Sequence, residues 1–227
     1  MKKRIVFCMF GAFLAVTLVL TGCPTEASSS SPASGNLGEN ELELKGDVYT
    51  QGSDLKYTKV AADHTVTSNL NGTGSITGGK LSFKIPQPAA TQLTQPITDF
   101  TTGLSAQYDT VTLTPAASTA KYATLRLRAG TDDLVNENYS QSISGTSATL
   151  TTEDNTYIYL SEDVTIKGKG KSFPSYAGTM KSSDINMSLK KGWNIIYTKE
   201  EIKTSTSESS ATFTMKDEKH SLKWVIE

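Results

Sequence analysis

From Glu41 to the C-terminus, apolar residues recur at every second position. Ala123, Leu125, Leu127 and Ala129 alternate with Thr124, Arg126 and Arg128. Val164 and Ile166 flank Thr165, and Ile185, Met187 and Leu189 alternate with Asn186 and Ser188. Phe213 and Met215 alternate with Thr212, Thr214 and Lys216, and Leu222, Trp224 and Ile226 with Lys223 and Val225. Successive side chains of a strand point to opposite faces, so each segment has one apolar face that must be buried. Turn residues separate the segments: Gln51-Gly52-Ser53-Asp54, Asn71-Gly72, Glu153-Asp154-Asn155 and Lys190-Lys191-Gly192. Threonine and serine are abundant, and threonine favours strands. Short strands with frequent turns predict an all-β domain over 41–227, an antiparallel β-sandwich of the immunoglobulin-like or a related kind.

Two segments break the alternation. Tyr157-Ile158-Tyr159-Leu160 and Trp193-Asn194-Ile195-Ile196-Tyr197 are apolar on both faces. They read as central strands covered on both sides, or as strands with one aromatic face left for a partner. Two stretches have helical character, Thr91 to Phe100 and Lys199 to Lys203. Pro86, Pro88 and Pro96 keep the first short, and the second is one turn at most. If the body holds two β units, their boundary falls in the proline-rich 86–103 stretch.

The segment Gly74-Ser-Ile-Thr-Gly-Gly-Lys80-Leu81 is close to a phosphate-binding loop, with Leu81 where the metal-binding hydroxyl belongs. Leu81, Phe83 and Ile85 continue as a strand rather than a helix. Gly78-Gly79 therefore reads as a two-residue hairpin turn, since both central positions tolerate positive φ. The run Lys167-Gly-Lys169-Gly-Lys171 reads as an exposed hairpin or edge strand, where lysine discourages pairing with another chain.

The chain opens Met1-Lys2-Lys3-Arg4 and is apolar from Ile5 to Leu20. That is the layout of an export signal, and the apolar run is shorter than the roughly 20 residues of a spanning helix. It ends in Leu20-Thr21-Gly22-Cys23, which resembles the lipobox of bacterial lipoproteins. The resemblance implies cleavage after Gly22, acylation of Cys23 Sγ, and membrane lipid as a partner. Two or more acyl chains give stable anchoring where one does not. Residues 1–22 are then the signal peptide. Residues 23–40, rich in Ser, Pro and Gly, are expected to form a flexible tether. Pro24 in place of an aspartate favours the outer membrane over the inner. The phrases "GGKLSFKIP" and "LKKGWNIIY" resemble segments of uncharacterised spirochaete-type lipoproteins, a similarity that implies no activity.

Cys8 leaves with the signal and Cys23 is acylated, so the body is expected to have no disulfide and no thiolate metal site. Losing Lys2, Lys3 and Arg4 moves the formal net charge from −1 to −4, which disfavours nucleic-acid binding. No zinc or serine-hydrolase motif is present, and no cofactor is expected. His64 and His220 stand in polar, turn-like contexts and read as solvated. The acid pairs Asp132-Asp133, Glu153-Asp154, Glu162-Asp163 and Glu200-Glu201 read as solvated turns. Trp193 and Tyr197 share one strand face with Ile195 between them. They are core residues or a stacking platform for a carbohydrate or protein ligand. The expectation is a lipid-anchored envelope protein that binds or supports rather than catalyses. The alternatives are adhesion through exposed aromatics and, less favoured, a hydrolase.

Overall fold

The computed structural model describes residues 33–53, 55–175, 178–206 and 209–227. Cys23, the leader and the start of the tether lie outside them. The described chain is all-β and sandwich-like, with one large sheet and a smaller three-stranded one.

Hairpin chemistry places the first strands. Gly78 and Gly79 take φ of 56° and 71° between Thr73–Thr77 and Lys80–Ile85, with Thr77 opposite Lys80. The near-miss loop is a turn. Leu81, Phe83 and Ile85 are buried from the second of these strands, and Leu42, Leu44 and Val48 from its neighbour Leu42–Gln51. In space, Leu127–Ala129, His64–Ser68, Thr73–Thr77, Lys80–Ile85, Leu42–Gln51, Lys223–Ile226 and Asp132–Ser144 follow one another. Asp132–Ser144 pairs back onto Leu127–Ala129, so the seven strands close into a ring. The pairing is antiparallel except where Lys223–Ile226 meets Leu42–Gln51 and where Gly178–Ser182 meets Ser209–Lys216.

Ser147–Leu160 and Gly192–Thr204 pair over thirteen positions and form the centre of the molecule. Their alternate residues serve two cores. Tyr157, Tyr159, Trp193 and Ile195 join the core of the ring strands, with Val66, Ile76, Phe83 and Trp224. Ile158, Leu160 and Ile196 join a second core closed by the small sheet Ile185–Leu189, Val164–Gly170 and Tyr108–Thr114. The two-faced apolar segments are thus central strands covered on both sides, each buried large side chain contributing ~1.5–3 kcal/mol.

Several elements differ from the sequence reading. The body begins before residue 41: Ala33–Ser34 pairs with Glu218–Lys219, and Asn36–Gly38 pairs with Gly192–Thr204. Gly35 is buried against Asp217 and Ile195, where a Cβ would stand 2.6 Å from the Asp217 carbonyl. Residues 32–227 form one compact unit. The 86–103 stretch links the two cores, Leu93 entering the first and Ile97 the second. The helix Ile97–Leu104 starts directly after Pro96, because a missing N–H costs nothing at a helix start. Lys199 to Lys203 is strand, not helix. Lys167-Gly-Lys-Gly lies in the central strand of the small sheet rather than at an edge. There Gly170 packs so closely that a Cβ would sit 2.1 Å from the Ser182 carbonyl oxygen.

Candidate functional site

Trp193 is wholly buried, its ring edge-on to Tyr159 at 5.3 Å between centroids. Tyr197 is only 4 % exposed. The alternative reading of Trp193 and Tyr197 as an exposed stacking platform is therefore corrected. Central-strand position puts both side chains under other elements: Trp193 faces the ring core, and the 217–222 segment crosses Tyr197. Trp224 is buried too, stacked on Tyr157 with centroids 5.8 Å apart.

Tyr197 is the centre of a polar seam that continues the face of the ring core. The strand register sets Asn155 beside Tyr197 and Glu153 beside Asn138. The Tyr197 hydroxyl donates to Glu153 Oε1 at 2.6 Å, and Asn138 Nδ2 donates to Glu153 Oε2 at 3.0 Å. Lys223 Nζ donates to Asn138 Oδ1 at 2.9 Å and lies 4.5 Å above the Tyr57 ring centroid. Asn155 Nδ2 donates to Asn136 Oδ1 and to the His220 carbonyl, both at 2.7 Å. Asn136 Nδ2 donates to the Leu222 and Lys223 carbonyls at 3.1 Å. The Asn155 side chain is buried with Oδ1 unpartnered. Burial and the Glu153 carboxylate push the Tyr197 phenol well above its ordinary range. Burial does the same to Tyr157.

His220 stacks on Tyr197, the rings 3.6 Å apart and 15° from parallel. It is half-buried rather than solvated, and Glu218 Oε2 stands 3.4 Å from its Nε2. His64 begins the His64–Ser68 strand, half-buried. Among the described residues, the polar group beside the His220 ring is the Glu218 carboxylate rather than a serine hydroxyl. Among them there is also no group of three or more acids, histidines and cysteines placed to share a metal ion.

The seam acts as a clasp. Three asparagines, Asn136, Asn138 and Asn155, and two tyrosines, Tyr57 and Tyr197, bind the 217–223 segment to the sheet, and that segment holds Ala33–Ser34. Buried amides paired to backbone carbonyls fix one geometry, because an alternative register would leave them unpaired. Of the acid pairs read as turns, Glu153-Asp154 and Glu200-Glu201 lie inside strands instead, and Asp132-Asp133 opens one. Glu201 accepts from Lys203 at 2.8 Å and Lys199 at 3.0 Å, which hold its carboxyl below the usual range. Comparison with protein-family models, with curated proteins and with solved structures finds no match to this chain.

Proposed function

We propose that the chain is exported, anchored to the cell envelope by acyl chains on Cys23, and acts there as a binding or structural module. The observation that carries this reading is the order of the N-terminal signals: Lys2-Lys3-Arg4, the apolar run Ile5 to Leu20, then Leu20-Thr21-Gly22-Cys23. Two features of the body support it. The only cysteines are Cys8 and Cys23, so no disulfide competes for Cys23 once the leader is gone. The aromatic side chains of Trp193, Tyr197 and Trp224 are committed to packing. A Cys23→Ala variant is expected to lose incorporation of labelled fatty acid and to shift from the membrane to the soluble fraction. Unchanged membrane retention would refute the anchor.

A further inference from the structure

The outer parts of three strands extend past both cores as a blade, residues 138–144, 147–154 and 198–204, with 209–216 alongside as a fourth strand whose Phe213 and Met215 pack on the second core. Most of these residues are half-buried or exposed. The register sorts their charges onto two faces. Lys199, Glu201 and Lys203 alternate on one face, and Lys181 joins them through its pairing with Thr212, which lies opposite Glu201. That face also carries Glu153 and Asn138 near its base, and its outer positions are hydroxyls, among them Ser140, Ser142, Thr149 and Thr151. The other face has Asp154 and Glu200 and no lysine on these four strands.

The clasp relates this polarity to the chain's entry. Tyr197 lies on the lysine face, two residues before Lys199, and the His220 ring is stacked on it. Lys219, next to His220, pairs with Ala33, so the chain enters the body at the base of the lysine face. Ten Cα-to-Cα steps lead from Cys23 to Ala33, a reach of at most about 35 Å. The blade extends seven residues from Tyr197 to Thr204, about 23 Å along the strand. An anchor at Cys23 therefore keeps the blade within reach of the membrane, and the face on the side of chain entry is the basic one.

We propose that the lysine face of the blade docks on anionic lipid headgroups, with Lys181, Lys199 and Lys203 near the phosphates and the acidic face turned away. Lys199 and Lys203 share the Glu201 carboxylate, and Lys203 still keeps its side chain 60 % exposed. Lysine in the middle of a sheet does not serve to block edge pairing, the usual reason for lysine on an exposed strand. The orientation rests on the lipid-anchor reading; the docking is testable without it.

The test uses the chain from residue 23 onward bearing Cys23→Ser, co-sedimented with phosphatidylcholine vesicles with and without phosphatidylglycerol. Binding is expected only when phosphatidylglycerol is present, and is expected to fall with added salt. Each lysine is worth roughly fivefold in partitioning, so K181Q/K199Q/K203Q should lose about a hundredfold. Thr151→Glu, on the lysine face, should weaken binding, whereas Thr152→Glu, on the opposite face, should leave it unchanged; thermal unfolding checks that each variant is folded. No binding, equal binding to both vesicle types, an unaffected triple variant, or equal effects at 151 and 152 would each overturn the proposal. Since this protein carries no acyl group, none of these outcomes depends on lipidation, which fatty-acid labelling of the wild-type chain reads separately.

Discussion

Replacing Trp193 by alanine separates a core residue from a ligand platform. The indole is fully buried in the ring core, edge-on to Tyr159. Truncating a buried tryptophan costs ~3–5 kcal/mol through lost burial and the cavity left behind. One contribution runs the other way. The indole Nε1–H has no acceptor, and removing an unsatisfied buried donor returns ~1–3 kcal/mol. The net loss is about 2 kcal/mol, which for a body of this size lowers Tm by roughly 4–8 °C. Trp193→Phe keeps an aromatic ring and discards the unpaired donor, so its loss should stay below about 1.5 kcal/mol. Thermal unfolding followed by far-UV circular dichroism measures both. A Trp193→Ala protein melting within about 2 °C of wild type would show that the side chain is not a core element, and the burial argument would fail.

The Gly78-Gly79 hairpin predicts a contrast between nearby glycines. A Cβ at Gly74 would stand 2.3 Å from the Ser82 carbonyl oxygen and 2.6 Å from Phe83 Cα, so Gly74→Ala should lose ~1–3 kcal/mol. At Gly78 space is open and only the positive φ matters, so Gly78→Ala should lose ~1 kcal/mol and Gly78→Asn less. Equal urea midpoints for Gly74→Ala and Gly78→Asn would refute this strand register. Burial holds the phenols of Tyr108, Tyr157 and Tyr197 above their ordinary range, Tyr197 with help from Glu153. Each stays neutral in the fold where the unfolded chain ionises, so its stabilisation is complete below about pH 10 and is lost as pH rises further. Phenolate absorbance should therefore rise in two stages, the second coincident with unfolding. Release of all nine tyrosines in one stage near pH 10, with native circular dichroism retained, would contradict this.

Much of the fold was legible along the chain because period-two alternation is a local property. Ile185, Met187 and Leu189 are buried, as are Val164 and Ile166. The run Ala123, Leu125, Leu127 and Ala129 is buried throughout, yet the strand is divided. Residues 122–124 pair with 158–160, whereas Leu127–Ala129 pairs with 132–134 and with 66–68. Asn69 spans the break by donating to the Thr124 carbonyl and accepting from the Arg126 N–H. Alternation records which face is buried, not which neighbour supplies the hydrogen bonds.

Polar positions were the least legible. Glu153-Asp154-Asn155 has the composition of a turn, and Lys199 to Lys203 that of a solvated helical turn. Both lie within the longest strands, because partners distant in sequence satisfy them: Tyr197 and Asn138 for Glu153, and Asn136 and the His220 carbonyl for Asn155. Lys167-Gly-Lys-Gly resembled an edge for a similar reason. Its glycines mark close approach by neighbouring elements, not exposure.

The amino-acid order alone determined the strand-rich class, the Gly78-Gly79 turn and the two-faced apolar character of the two central segments, since each depends only on residues a few positions apart. Ring closure, the clasp over Tyr197 and the division of the blade into basic and acidic faces were decided by tertiary structure. They depend on which strands become neighbours, and that is settled by burial and hydrogen bonding between residues distant along the chain.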